Sequence, residues 1–204
     1  MIPIVLGISG ASGITLAVKA LKLLTNMGQN VEVVMSKAAS QVALQELGPD
    51  YQTVNKIIQP FRHLARSWKT YDFTAPIASG SFRTKGMIII PCSMGTLAGI
   101  SHGMGDNLMK RAADVTLKER RPLIIVPREA PFNQIHLENM LKLTQMGAII
   151  HPPMPAWYEQ PMNLEEMENY MVHRILDPFN LEGNTYQRWG EELSTSAFFC
   201  KSTS

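Results

Sequence analysis

Residues 2–28 read IPIVLGISGASGITLAVKALKLLTNMG, and the change of period inside this stretch decides the fold. Residues 2–8 are a short β-branched run without polar alternation, the pattern of a strand buried on both faces. From Ile14 the spacing becomes helical. Leu16, Ala20, Leu23 and Leu24 share one face, and Gly28 stands where a helix C-cap is expected. Between the two periods lies GISGASG, Gly7–Gly13. Such small residues between a strand and a helix read in two ways: a tight turn, or a cradle that lets backbone amides approach a phosphate. The loop is neither G-x-G-x-x-G nor a Walker loop, so alone it leaves both readings open.

The same alternation repeats downstream. NVEVVMS (30–36), GMIIIPCS (86–93), PLIIVPRE (122–129) and AIIHPP (148–153) read as further strands. Helices are expected over 37–47, stopped by Gly48-Pro49, and over 53–67, interrupted by Pro60. Others are expected as a short helix after Ser93, over 108–121 closed by Pro122, over 136–147 and over 163–177. DFTAPIASGSF (72–82) reads as a loop, and PPMPAWYEQP (152–161) as a rigid loop presenting Trp157 and Tyr158. Near-continuous apolar strands alternating with helices predict an α/β fold: a three-layer, Rossmann/flavodoxin-like parallel sheet with helices on both faces. No internal repeat or linker interrupts it. Residues 1–190 are expected to form a single domain and 191–204 a C-terminal tail.

The bulk composition narrows the function classes. The chain has 204 residues, 45% hydrophobic and 18% charged, which suits one globular domain. A net charge of +2 without a block of like charges supports neither a nucleic-acid groove nor a polybasic membrane patch. MIPIVLGIS is too short and uncharged for a signal peptide, and no apolar run approaches the ~18 residues of a membrane span. Cys92 and Cys200 lie far apart without metal-type spacing, which favours a reducing, cytoplasmic setting. The five histidines show no ligand spacing, so no metal site is expected, and no G-x-S-x-G elbow supports a hydrolase triad.

The chemistry-bearing residues recur at one place, the carboxyl ends of the strands, where open parallel sheets bind ligands. The first strand is followed by Ser9-Gly10-Ala11-Ser12, the second by Ser36-Lys37, the third by Ser93-Met94-Gly95-Thr96 and the fourth by Arg128-Glu129. Singly, Ser36, Ser93 and Thr96 are ordinary helix caps. Four coincident strand ends point to a nucleotide or flavin phosphate. Arg111 and Lys118, seven apart, fall within roughly 20° of one helix face, with Asp114 placed to pair with Arg111. They read as a solvated face whose last cations complement the helix dipole, or as a cation pair for a second anion. Glu46 reads as a solvated carboxylate, and Trp157 and Tyr158 as packing or as walls of an apolar ligand site.

In this order, GISGASG, MSKAA, ASGSF, PCSMGTLAGI, RAADVTLKERRPL, VPREAP and PPMPAWY resemble the flavin prenyltransferase family, the UbiX-type enzymes. The resemblance runs from about residue 2 to Trp189. It implies transfer of a dimethylallyl group from dimethylallyl phosphate to reduced FMN, at N5 and then C6. It implies that the product, prenylated FMN, serves a UbiD-type decarboxylase, in ubiquinone synthesis or in aromatic acid decarboxylation. It also implies a metal-independent homo-oligomer, commonly a dodecamer, with active sites at subunit junctions.

By the same resemblance, Gly10, Ala11, Ser12, Ser36, Ser93, Met94, Gly95, Thr96 and Arg128 bind the flavin. Arg111, Lys118, Arg128, Glu129, Tyr158 and Arg174 surround the prenyl phosphate, and Trp189 closes over the site. Ser12, Glu46, Lys118 and Glu129 are the implied catalytic groups. One departure is the first helix, ITLAVKAL, which lacks an early tyrosine that many members carry. A flavin-dependent decarboxylase of cysteine-type substrates shares the fold and the glycine loop, but expects an early histidine and an asparagine in the Pro-Met loop. Here the first histidine is His63 and the loop carries Pro155. A non-catalytic FMN carrier would leave Lys118, Glu129 and Arg174 without a task.

Overall fold

The apolar runs become β1 (Ile4–Ile8), β2 (Val31–Met35), β4 (Gly86–Cys92), β5 (Leu123–Pro127) and the short β6 (Ile149–Ile150) in a computed structural model that describes residues 1–160, 163–184 and 186. A further strand, β3 (Ala65–Trp68), lies where the sequence predicts the end of a helix. The helix over 53–67 is corrected to α3 (Val54–Ile58), followed by a 3-10 turn through Pro60. Proline removes an amide the helix needs, and the released chain runs on as an edge strand. The edge position explains why β3 was illegible: it pairs with β2 alone, only Ala65 is buried, and ARSW carries no apolar run.

The strand order is β3-β2-β1-β4-β5-β6, all parallel. This is the Rossmann order, with its reversal between β1 and β4. Alternate strand residues feed two cores. Ile4, Leu6, Ile8, Val31, Val33, Ile88, Ile90, Ile124 and Val126 pack with α1 (Ile14–Asn26), α2 (Lys37–Leu47), α3 and α7 (Leu164–Leu176). Val5, Val34, Met87, Ile89, Leu123 and Ile125 face α4 (Met94–Ser101), α5 (Leu108–Lys118) and α6 (Gln134–Gln145). The period of two therefore separates the layers, and the three-layer expectation holds. The expected boundary at residue 190 and the tail 191–204 lie outside the described residues.

The sheet is closed at its amino edge by Gly86, which starts β4 at φ 146°. A Cβ there would stand 2.4 Å from the Pro122 carbonyl oxygen and 2.9 Å from the Phe179 ring. Gly86→Ala should therefore lower stability by about 1–3 kcal/mol, roughly 2–12 °C in thermal midpoint for a chain of this size. A melting curve coincident with that of the parent protein would refute this account of the amino edge.

Candidate active site

Where β1 and β4 part at the carboxyl edge, one buried side chain holds them in register. Ser9 is fully buried. Its hydroxyl donates to the Pro91 carbonyl oxygen at 3.0 Å and accepts the Ser93 N–H at 2.8 Å, while its own N–H reaches the same Pro91 oxygen at 3.2 Å. The Ser9 hydroxyl thus continues the join between the strands past the last β1–β4 pair, Gly7–Ile89. The sequence reading placed Ser9 at the strand end and gave it no role. A polar residue closing an apolar run is the signal that would have found it.

Around this join opens a cavity of about 460 Å³, lined by Gly10, Ala11, Ser12, Val42, Gln45, Glu46, Ser93, Met94, Arg128 and Glu129. Three of the four strand ends singled out from sequence meet in its wall, and Glu46 joins them. Ser36, Gly95 and Thr96 are not in that wall. Ser36 accepts the Ala39 N–H at 3.1 Å as the N-cap of α2. Ser93 accepts the Thr96 N–H at 3.3 Å as the N-cap of α4. The capping reading of both serines therefore holds. A side-chain cap satisfies one of a helix's leading amides and leaves others for a ligand. Gly10 lets the loop lie against α2, since a Cβ there would stand 2.4 Å from the Ala38 Cβ.

Glu46 is positioned by α2 yet serves α1. Its carboxylate accepts the Gly13 N–H at 3.0 Å and the Ile14 N–H at 2.9 Å. Gly13, the N-cap, supplies no side-chain cap of its own. Glu46 is therefore a cap contributed across the cleft, with favourable charge for a helix N-terminus. Arg128 is anchored through its backbone N–H to the Cys92 carbonyl at 3.1 Å, and its exposed side chain makes no hydrogen bond among the described residues. Glu129 accepts the Ala130 N–H at 3.0 Å. Cys92 lies buried beneath, and burial pushes its thiol up from its ordinary value. Among the described residues no His, Cys, Asp and Glu side chains group as a metal site.

The single chain does not bring the remaining predicted residues into this cavity. Arg111 donates to the Ala78 carbonyl at 3.1 Å and pairs with Asp114 at 2.8 Å, as its i+3 spacing predicts. Lys118 ends α5 at the opposite, amino edge of the sheet. There it pairs with Glu119 and lines a separate cleft with Arg120, Arg121 and Pro122. That pairing holds the Glu119 carboxyl below its ordinary value, through the Lys118 hydrogen bond first and its charge second. Trp157 and Tyr158 are 68% and 55% exposed, and the Tyr158 ring meets Tyr170 edge to face with centroids 6.3 Å apart. Arg174 pairs with Asp177 at 2.7 Å. Trp189 lies outside the described residues.

The family model described as Flavoprotein matches residues 1–176. A flavin prenyltransferase UbiX of Alkalihalophilus pseudofirmus is 47% identical over 189 residues, covering 91% of this chain and 94% of the relative. A solved structure of AnUbiX (PadA1) in complex with FMN and dimethylallyl pyrophosphate superposes with a TM-score of 0.85 at 42% identity, covering 92% of this chain and 97% of that one. A dodecameric FMN-dependent UbiX-like decarboxylase from Escherichia coli O157:H7 superposes with a TM-score of 0.84 at 44% identity, covering 92% and 99%.

Because Ser9 satisfies two backbone groups at once, Ser9→Ala should cost about 1–3 kcal/mol. It should also loosen the Gly10–Ser12 loop. Chemical denaturation and an FMN titration measure the two effects. Unchanged values for both would mean the loop is held by other contacts.

Proposed function

The chain belongs to the UbiX-type flavin prenyltransferase family, and from that premise we propose that it moves a dimethylallyl group from dimethylallyl phosphate onto N5 and C6 of reduced FMN. The product would supply a UbiD-type decarboxylase. The observation that carries this reading is the convergence of Ser12, Glu46, Arg128 and Glu129 on one cavity at the switch point of the sheet.

The residues present fit a flavin mononucleotide. The serine-capped N-terminus of α4 and the Arg128 guanidinium suit its phosphate, and Val42 and Met94 give its ring an apolar wall. A cavity of about 460 Å³ is of ligand-binding size. Bound there, the reduced flavin supplies the nucleophilic ring atoms. The chain's own residues do the rest. Gly10, Ala11 and Ser12 hold the ring edge where the backbone comes close. Arg128, Lys118 and Arg174 balance the charge that gathers on phosphate as the carbon–oxygen bond breaks. Glu129 holds the departing phosphate in place to accept the C6 proton. Val42 and Met94 keep water from the allylic cation.

Lys118, Arg111, Tyr158 and Arg174 reach such a site when copies of the chain assemble, each lending its groups to a neighbour's cavity. The surface supports assembly: Ile135, Leu137 and Leu141 on α6, with Met146 and Ile149 beside them, are exposed. Exposed apolar side chains of this size suit a protein contact. No described helix is long and apolar enough to cross a membrane, and the free buried Cys92 suits a reducing cytoplasm. The cysteine-decarboxylase alternative gains nothing from His63, which lies in another cleft, at the amino edge, with Asn30, Asn55 and Arg66.

Anaerobic incubation with reduced FMN and dimethylallyl phosphate should yield a flavin heavier by one C5 unit, read by mass spectrometry. Unmodified flavin, with FMN binding demonstrated, would sink the proposal. Glu129→Gln should slow turnover about a hundredfold while FMN affinity stays near that of the parent. Loss of FMN binding in that variant would move Glu129 from the phosphate to the flavin.

A further inference from the structure

Arg174 sits in the last turn of α7, half-exposed, and its hydrogen bonds are distributed unevenly. Nη1 donates to Asp177 Oδ2 at 2.7 Å and to the Tyr186 hydroxyl at 3.2 Å. These two bonds use both hydrogens of Nη1. Among the described residues Nε and Nη2 carry none. The guanidinium is thus gripped by one corner, with its opposite, bidentate edge left for an anion. A phosphate takes that edge through two parallel N–H···O bonds.

The grip is built from more than the ion pair. Asp177 Oδ2 also accepts the Tyr186 hydroxyl at 2.5 Å, and Asp177 Oδ1 accepts Asn184 Nδ2 at 3.1 Å. Asn184 is buried and donates as well to the His173 carbonyl at 3.1 Å, which pins the returning chain to α7. The Asp177 side chain is 17% exposed against 46% for Arg174. The carboxylate is therefore the fixed member and the guanidinium the member it aims. From Tyr186 the cluster continues to Tyr170, edge to face with centroids 5.8 Å apart. Tyr170 places its hydroxyl 2.6 Å from that of Tyr158. Tyr158 and Arg174, from different segments, are thereby coupled.

We propose that Asp177, assisted by Tyr186, is a positioning residue that presents the Nε–Nη2 edge of Arg174 to the prenyl phosphate. The inference rests on the reading, given above, that Arg174 grips that phosphate. Asp177 itself touches neither substrate. A half-exposed ion pair of this kind adds little to stability, so its removal registers in substrate affinity rather than in folding.

The test uses the full-length flavin-loaded enzyme, with kcat and KM for dimethylallyl phosphate, FMN affinity and thermal midpoint measured together. Asp177→Asn should raise KM about tenfold, a coupling of ordinary size for groups in contact. Its kcat and FMN affinity should stay unchanged. Tyr186→Phe, which removes one hydroxyl, should move KM the same way by less. In an Arg174→Ala background Asp177→Asn should add nothing. An unchanged KM in Asp177→Asn overturns the proposal, as does an equal rise in KM whether or not Arg174 is present. Should Asp177→Asn fail to fold, an unchanged KM in Tyr186→Phe overturns it instead. Failure of the underlying reading has a different mark: Arg174→Ala then keeps the parent's KM, and both ideas fall.

Discussion

The site depends on the hydroxyl of Ser9. β1 and β4 are adjacent parallel strands whose following loops diverge to opposite layers, which is what opens a crevice at a topological switch point. Strands that diverge tend to leave backbone groups unpaired at the point of parting. Here Ser9 fills that gap from within, donating to Pro91 and accepting from Ser93. A single neutral hydrogen bond is worth about 1 kcal/mol net, but the Ser93 N–H left orphaned in a buried place would cost more than that. The positions of the Gly10–Ser12 loop and of the α4 N-terminus both follow from this one join.

The electrostatics of the crevice follow from which helix ends remain open. α1, α2 and α4 all begin at the carboxyl edge of the sheet. The α1 terminus is already answered by Glu46, whose carboxylate takes the Gly13 and Ile14 amides. The α2 and α4 termini are capped by serines, which are neutral and engage one amide each. An incoming anion in the cavity is therefore directed away from α1 and toward the serine-capped end of α4. Glu46 excludes a phosphate from one terminus and fixes the glycine loop in the same set of bonds.

Much of this was legible in the sequence, and the exceptions have physical causes. Strands buried on both faces announce themselves as apolar runs, so β1, β2, β4 and β5 were readable, and with them the carboxyl edge carrying Ser12, Ser93 and Arg128; β6, an edge strand with Ile149 exposed, was readable because it keeps two isoleucines. β3 was not, because an edge strand half in solvent needs no apolar run. Ser9 shows in the sequence as a polar residue closing an apolar run, but its partners were hidden, because they lie on a strand distant in sequence. Arg111 and Asp114 paired as their spacing foretold. The positions of Lys118, Tyr158 and Arg174 away from the cavity had no local signal either. Motif order along a chain does not say where in the fold the motifs end up.

That division has an energetic side. Arg111, Lys118 and Arg174 each stand beside a carboxylate of their own segment: Asp114, Glu119 and Asp177. Arg128, inside the cavity, forms no ion pair among the described residues. Of these four cations, the three outside the cavity are neutralised within the described chain and Arg128 is not. Exposed pairs of this kind are worth about 0–1 kcal/mol. A doubly charged phosphate can draw Arg111 or Lys118 from its partner at small cost. Arg174 differs in degree, because Asp177 is the most shielded of the three carboxylates and is bonded on both oxygens. The first two pairs can exchange their anion for phosphate. The third keeps its carboxylate and offers phosphate its other edge.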